Sequence, residues 1–233
     1  MKVFIVHAHH EPKSFNGALT QLAERALTSM GHEVRISDLY AMKFDPVSDR
    51  RNFTSVKNPG YLKQQVEEMH ASEVNGFAPD IAGEIEKVEG CELMIWQFPL
   101  WWFSMPAILK GWVDRVFVMG RAYGGGRAYE KGMFRGKRAM LSITTGGAGE
   151  AFAEKDDLLR ESQEGHGFHG NIYSILRPIH RGILRFTGFD VLRPNIVYGP
   201  ARLTEEKRQQ HLDAYASRLR GIVGELPIEV GLY

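Results

Sequence analysis

Polar and aromatic side chains cluster in three short segments, and each segment follows an apolar run that is typical of a strand. The first, residues 9–16, ends in Ser14, Phe15 and Asn16, just before a helical pattern. A helix N-terminus offers free backbone N–H groups and favours anions. This segment can therefore bind a phosphate or pyrophosphate, although the segment alone favours the interpretation that Ser14 only caps the helix.

The second segment, residues 98–103, reads Phe-Pro-Leu-Trp-Trp-Phe and is bracketed by Pro99 and Pro106. A flat apolar wall at the end of a strand suits the stacking of a planar ring, while nearby backbone N–H groups can address the ring's heteroatoms. An aromatic cluster of the protein core is the alternative interpretation.

The third segment, residues 144–147, reads Thr-Thr-Gly-Gly. Glycines let the backbone approach a ligand closely, and the two hydroxyls add hydrogen-bond donors. A further glycine run, residues 124–126, lies beside Tyr123 and Arg127. This run favours a mobile lip of a site rather than a phosphate cradle.

Strand and helix patterns alternate along the chain, which predicts an α/β protein with a doubly wound, five-stranded parallel sheet, and one domain over residues 1–233. The predicted strands are residues 2–8, 32–37, 92–98, 137–144 and 191–198. Two predicted helices begin near Ser14 and Pro106, and four more cover residues 62–71, 80–88, 172–186 and 205–223. Residues 153–167 are charge-dense and are expected to form an exposed excursion. Ligands of such sheets bind at the carboxyl ends of the strands, where the three segments would meet.

Bulk composition narrows the class of protein. The net charge is +1, from 29 basic and 28 acidic residues, which argues against binding to nucleic acid or to an acidic membrane. The single cysteine, Cys91, excludes an intramolecular disulfide, and we expect it to be a buried apolar residue in a cytoplasmic protein. His7 and His9 could begin a metal site, but no carboxylate set stands beside the later histidines, so we predict no metal.

The order of short motifs resembles a known family. Residues 98–103, residues 106–112 (Pro-Ala-Ile-Leu-Lys-Gly-Trp) and residues 141–147 strongly resemble the NAD(P)H:quinone oxidoreductases of the DT-diaphorase type. So do Ser-Phe-Asn at 14–16, residues 37–42 and residues 182–186. The likeness extends from Val3 to about Leu219 and implies a flavodoxin-like fold.

The resemblance also implies a set of functional residues. FAD, rather than FMN, would be the cofactor, and NADH or NADPH the hydride donor. The pyrophosphate and ribityl part of FAD would be surrounded by His9, Ser14, Phe15 and Asn16. The adenylate part of FAD would be contacted by Arg208. The flavin ring would be contacted by Pro99, Leu100, Trp102, Phe103, Thr144, Thr145, Gly146 and Gly147. His169 would be the catalytic residue at the pyrimidine end of the ring, and Tyr123 and Phe152 would border the substrate pocket.

The activity implied is a two-electron reduction of a quinone or related acceptor by alternating, ping-pong hydride transfers, in a homodimer whose active site lies at the subunit interface. The chain departs from the family pattern in three places. Phe152 stands where the family has the tyrosine partner of its histidine, Trp101 replaces a glutamine of the animal enzymes, and Gly125 replaces a second pocket tyrosine.

Two alternative functions stay open on the sequence. One is a reductase of azo dyes, nitroaromatics or free flavin with the same fold. The other is an ancillary flavoprotein that regulates a potassium efflux channel, with a membrane transporter as its partner.

Overall fold

A computed structural model describes residues 1–152 and 168–231. The predicted excursion, residues 153–167, lies outside the described residues. The strands are β1 Lys2–His7, β2 Glu33–Asp38, β3 Leu93–Pro99, β4 Arg138–Thr145, β5 Asp190–Val191 and β6 Asn195–Tyr198. The α-helices are α1 Phe15–Ser29, α2 Gln64–Val74, α3 Pro79–Gly90, α4 Ala107–Val116, α5 Ile172–Ile179 and α6 Glu205–Arg220.

The strands form one parallel sheet in the order β2-β1-β3-β4-β5, with β6 also pairing with β4. The predicted doubly wound sheet is therefore confirmed. The strand order reverses between β1 and β3, and a crevice opens at such a switch point outside the carboxyl ends of the strands. Register brings the site segments together there, because His7 pairs with Gln97, Pro99 with Thr144, and Thr145 with Tyr198.

Helices cover both faces of the sheet. On one face, α1 and α6 bury Leu19, Leu27, Tyr215 and Leu219 against the sheet. The other face carries the larger cluster, built on residues such as Trp112 of α4, which packs at 6.0 Å from the ring of Trp96. Strands covered on both faces must be apolar throughout, which explains the continuous apolar runs of β1, β3 and β4.

The last predicted strand is two strands in the structure. β5 and β6 occupy the same sheet edge beside β4 but are separated by residues 192–194. Pro194 lies in this break, and proline has no backbone N–H to donate to a strand ladder. The C-terminal segment covers part of the edge, since the N–H of Ile228 donates to the carbonyl of Val191 at 2.8 Å.

The predicted helix 172–186 also changes form along its length. It is α-helical to Ile179 and then continues as a π-helix, His180–Arg185. Pro178 lies inside the helix, where it can neither donate a backbone hydrogen bond nor fit the preceding turn without distortion. The wider π turns follow directly after this proline.

Candidate active site

A cleft of ≈ 500 Å³ opens at the carboxyl edge of the sheet. It lies between the loops that follow β1, β3, β4 and β6. The cleft is lined by His9, Lys13, Ser14, Phe15, Asn16, Ala18, Pro99, Leu100, Trp101, Thr144, Thr145, Gly146, Pro200, Ala201 and Arg208. The structure thus brings ten of the thirteen sequence-predicted cofactor residues, from three separate segments and α6, to a single site.

One end of the cleft is built to hold an anion. Ser14 caps α1, and its Oγ accepts the N–H of Gly17 at 3.1 Å. In the described part of the chain no acceptor takes the N–H groups of Phe15 and Asn16, which begin the helix. Lys13 and Arg208 add positive charge beside them, and the Nη1 of Arg208 is held by the carbonyl of Leu203 at 2.6 Å. Ser14 can therefore cap α1 while the same helix N-terminus binds an anion, because the cap leaves the N–H groups of Phe15 and Asn16 free.

The tautomer of neutral His9 follows from its hydrogen bonds. The Nδ1 of His9 lies 3.0 Å from the backbone N–H of Glu11 and 3.2 Å from the carbonyl oxygen of Glu11, and the shorter of the two contacts has Nδ1 as the acceptor. The ring proton is then on Nε2. Burial lowers the pKa of His9, and His10, whose ring stacks on it at 4.8 Å, lowers it further. His9 therefore offers a neutral N–H donor at the rim of the cleft.

A buried chain of amides forms the floor of the cleft. The Nε2 of Gln97 donates to the Oδ1 of Asn16 at 2.8 Å, and the Nδ2 of Asn16 donates to the Oγ1 of Thr144, also at 2.8 Å. This network joins β3, α1 and β4. The side chain of Asn16 is therefore used within the protein, and what Asn16 can offer a ligand is its backbone N–H.

The hydroxyls of the Thr-Thr-Gly-Gly turn have different roles. The Oγ1 of Thr145 donates to the carbonyl of Gly147 at 2.7 Å, so its proton stabilises the turn itself. The hydroxyl of Thr144 accepts from Asn16 and keeps its proton for another acceptor. Gly146 is exposed, and a Cβ built on it would meet nothing within 4 Å, so this glycine gives the cleft open space.

The aromatic segment forms a tight turn rather than a continuous wall. The N–H of Ser104 donates to the carbonyl of Trp101 at 3.0 Å, and the two central residues, Trp102 and Phe103, have φ values of +51° and +56°. Trp101 lines the cleft, but the side chain of Trp102 is 95% exposed. The prediction of a single flat surface is therefore wrong for this chain taken alone, because the left-handed turn directs Trp102 outward.

His169 lies against three phenylalanine rings. The centre of its imidazole ring lies 5.2 Å from that of Phe103, 5.1 Å from that of Phe152 and 4.1 Å from that of Phe168. The backbone N–H of His169 donates to the carbonyl of Ala151 at 2.8 Å. A Cβ built on Gly147 would lie 3.4 Å from the Nε2 of His169, which places the imidazole beside the Thr-Thr-Gly-Gly turn. Phe152 is buried against His169 and Tyr198 and contributes no hydroxyl to this group.

Tyr123 does not lie at the cleft of its own chain. Its ring packs 6.0 Å from Phe186, and its hydroxyl lies 3.4 Å from Gln65 and from the buried Glu68. Burial raises the pKa of Tyr123, and the Gln65 contact opposes this in part. In the sequence, α4 lies between the aromatic segment that lines the cleft and Tyr123. Tyr123 is not among the residues that line the cleft.

The remaining predictions concern His7 and Cys91. His7 is buried and its Nδ1 lies 2.8 Å from the hydroxyl of Thr20, so this ring has a partner inside the protein. Within residues 1–152 and 168–231, no group of three or more His, Cys, Asp or Glu side chains is arranged to hold a metal. Cys91 is buried as predicted, and burial raises the pKa of its thiol to about 11. No helix in the described ranges is long and apolar enough to cross a membrane.

The cleft residues that the sequence did not predict are Lys13, Ala18, Trp101, Pro200 and Ala201. Pro200 and Ala201 follow β6 directly, so the strand-end rule that identified the other loops would also have found them. Trp101 packs on the rings of His9 and His10 at 5.9 and 5.6 Å.

Comparison with known proteins agrees with this geometry. A family model described as a flavodoxin-like fold matches residues 1–220. The guinea pig (Cavia porcellus) NAD(P)H dehydrogenase [quinone] 1 is 42% identical over 97% of this chain and 79% of its own length. This chain belongs to the NAD(P)H dehydrogenase (quinone) family.

Two further members of the family bear on function. The human ribosyldihydronicotinamide dehydrogenase [quinone] is 41% identical over 97% of this chain and 94% of its own. A candidate quinone reductase from Klebsiella pneumoniae superposes with a TM-score of 0.89 at 38% identity, over 98% of this chain and 87% of its own. A potassium-efflux ancillary protein from Enterobacter, KefF, is 46% identical, but over only 32% of this chain and 40% of its own.

Proposed function

We propose that this chain is a flavin-dependent oxidoreductase that reduces quinones or related acceptors with NADH or NADPH by ping-pong hydride transfer. The observation that carries the proposal is the cleft itself, in which a helix N-terminus, a Thr-Thr-Gly-Gly turn and a histidine meet at the carboxyl edge of the sheet. The names of the family members that match most of the chain support it.

The residues present fit a flavin. The two unpaired N–H groups at the start of α1 suit a phosphate, and the open space at Gly146 suits a flat ring approached by backbone. The positive charges of Lys13 and Arg208 and the Nε2–H of His9 exceed what one phosphate needs, which favours the diphosphate of FAD over FMN. When bound, the flavin would carry the two electrons between donor and acceptor.

His169 is the proposed catalytic residue. Its imidazole lies next to Gly147, at the polar edge of the cleft, where a proton donor can stabilise negative charge that develops on a reduced ring. Because Phe152 has no hydroxyl, His169 carries this task without the tyrosine that the family pairs with it.

Two copies of the chain are part of the proposal. Tyr123 borders the acceptor pocket in the family likeness, yet in this chain it is not among the residues that line the cleft. A C2 homodimer would allow the Tyr123 of one copy to face the cleft of the other.

The first test identifies the cofactor and the acceptor. We expect a yellow protein that releases FAD on denaturation, is reduced by NADH or NADPH, and is reoxidised by quinones faster than by azo dyes or nitroaromatics. Fast azo reduction with negligible quinone turnover would contradict the proposed acceptor, and a colourless protein that binds no added flavin would contradict the function as a whole.

The second test concerns His169. We expect His169→Ala to slow flavin reduction or reoxidation by roughly one to two orders of magnitude, in line with the loss of one positioned donor, and to change flavin affinity much less. Stopped-flow absorbance of each half-reaction measures this. His169→Gln, which keeps an N–H donor, is the matched control and should recover part of the rate. Unchanged half-reactions in His169→Ala would remove this residue from the mechanism.

A further inference from the structure

A half-buried aromatic group lies away from the cleft, on the segments that follow α4 and α5. Its rings are Tyr123, Tyr129 and Phe186, with Phe186 6.0 Å from Tyr123 and 5.6 Å from Tyr129. The guanidinium of Arg181 lies 4.9 Å from the centre of the Tyr129 ring. We call these four residues the Tyr123 cluster. Aromatic rings beside a guanidinium form a surface that suits a planar ligand carrying negative charge.

Arg127 precedes Tyr129 of this cluster by two residues and follows a loop that only glycine can form readily. Gly124, Gly125 and Gly126 have φ values of +119°, +60° and +75°, in the region that side chains avoid. Three such residues in succession make the loop strongly bent, and Arg127 follows at its exposed end, two residues before Tyr129. The three glycines therefore allow a left-handed backbone that leaves the side chain of Arg127 exposed.

The charge of Arg127 has no carboxylate partner within residues 1–152 and 168–231. Its only hydrogen-bond contact there joins Nε to the carbonyl of Gly124 at 3.4 Å, which is too long for a strong bond. The neighbouring arginines differ, since Arg121 donates to Glu89 at 2.6 Å and Arg185 pairs with Glu130 at 3.3 Å. Arg121 and Arg185 therefore act within the protein, whereas the guanidinium of Arg127 is available to a ligand.

No residue of the Tyr123 cluster, nor Arg127, is among the residues that line the cleft of the same chain. α4 has ten residues and spans about 15 Å between the aromatic turn at the cleft and the segment that leads to Tyr123. A second copy in a C2 dimer could present its Tyr123 cluster, together with Arg127, to the cleft of the first.

We propose that Arg127 binds the diphosphate of the dihydronicotinamide dinucleotide donor from the subunit opposite the flavin, and thereby favours NADH and NADPH over dihydronicotinamide riboside. The inference rests on the proposed function and on its two-copy assembly. Overall identity does not decide the donor, since relatives named for NAD(P)H and for ribosyldihydronicotinamide are 42% and 41% identical to this chain. The riboside carries no phosphate, so a guanidinium aimed at phosphate distinguishes the two donors by a charge-assisted hydrogen bond.

The first experiment measures kcat/KM for NADH and for dihydronicotinamide riboside in the flavin-loaded parent and in Arg127→Ala. We expect the NADH-to-riboside ratio of kcat/KM to fall roughly ten- to hundredfold in Arg127→Ala, the range for loss of one charged hydrogen bond. Arg127→Lys should recover part of the ratio and should make it more sensitive to salt. Arg25→Ala, which removes an exposed arginine of α1, is the matched control and should leave the ratio unchanged.

The second experiment tests whether Arg127 acts across the interface. Heterodimers are purified with Arg127→Ala in one subunit and His169→Ala in the other. If Arg127 serves the opposite cleft, both substitutions fall in one of the two sites and the second site is intact, so about half of the parental NADH activity returns. If Arg127 serves its own cleft, each site carries one defect and no activity is restored.

The outcomes separate the two proposals. An NADH-to-riboside ratio that does not change in Arg127→Ala overturns the role of Arg127 while leaving the proposed oxidoreductase in place. Oxidation of neither donor by the parent, with flavin bound, overturns the proposed function and this inference together.

Discussion

At the scale of single residues, Trp102 and Phe103 hold a backbone conformation that disfavours them. Both have positive φ, and a left-handed conformation costs roughly 1–2 kcal/mol for a residue with a side chain. Such strain persists only where the surrounding structure holds it, and it is found often at ligand sites. Trp102 gains no burial in return, since its side chain is 95% exposed in the single chain.

We expect Trp102→Gly to stabilise the protein and to impair the site. Relief of the left-handed strain, less the extra chain entropy of glycine, should raise the free energy of unfolding by roughly 0.5–1 kcal/mol. Loss of the indole should weaken flavin binding or slow acceptor reduction. Urea unfolding and flavin titration of the same samples measure both effects.

Lys43 supplies the matched control because it also has positive φ, at +51°, and does not line the cleft. Lys43→Gly should stabilise the fold by a similar amount without changing flavin affinity or turnover. If Trp102→Gly behaves like Lys43→Gly in both measurements, Trp102 has no part in binding or catalysis.

The aromatic segment also marks a limit of sequence reasoning. Its position at the end of β3 was predictable, because an apolar run followed by a proline indicates a strand end. The direction of Trp102 was not predictable, since consecutive positive φ values are expected of glycine, asparagine or aspartate. The place of Tyr123 was not predictable either, since it depends on contacts with Gln65, Glu68 and Phe186, which are distant in the sequence.

At the scale of elements, the hydrogen bonds from Gln97 through Asn16 to Thr144 join β3, α1 and β4. Each of these side chains is buried, and both hydrogen bonds measure 2.8 Å. The network therefore sets the position of α1, whose N-terminus forms the anion end of the cleft.

Asn16→Ala should consequently destabilise the fold and weaken flavin binding together. It leaves the Nε2 of Gln97 without its acceptor and the Oγ1 of Thr144 without its donor, and each buried unpaired group costs about 1–3 kcal/mol. The free energy of unfolding and the flavin dissociation constant measure the two effects. Ser29→Ala removes an exposed hydroxyl at the other end of α1 and should change neither by much. A flavin affinity unaffected by Asn16→Ala would show that the network does not position the site.

Most strand positions followed from the sequence for a physical reason. Four predicted strands differ from β1 to β4 by about one residue at each end, because strands buried on both faces give unbroken apolar runs. The last strand was predicted as continuous because Ile196 and Val197 resume the apolar pattern soon after Pro194. The missing backbone N–H of Pro194 is the local signal for the break, because a strand ladder needs that donor.

At the scale of the whole molecule, His180 links folding stability to pH. Burial lowers its pKa to about 4, and its Nε2 has no hydrogen-bond partner among the described residues. The folded chain therefore keeps this ring neutral, while the unfolded chain protonates it below its ordinary value of about 6.5. The contribution of His180 to the free energy of unfolding is fully present above pH 6.5. This contribution decreases as the pH falls toward 4, by roughly 3 kcal/mol in all.

We expect His180→Gln to flatten this dependence. Urea unfolding at pH 7.5, 6 and 5, with saturating flavin, should show a smaller loss of unfolding free energy in the variant than in the parent. His211→Gln changes a partly exposed ring of α6 that does not line the cleft and is the control, so its pH dependence should follow the parent. Parallel curves for the parent and His180→Gln would contradict the assignment.

The two edges of the sheet bear on how the protein behaves at high concentration. Exposed strand edges are templates on which another chain can add, and this is a route to aggregation. On one edge, β5 and β6 are short, interrupted at Pro194, and partly covered by the backbone of Ile228. On the other edge, β2 exposes the charged side chains of Glu33 and Arg35. Neither edge offers a long apolar ladder, so the sheet discourages intermolecular strand addition and leaves side-chain surfaces for association between copies.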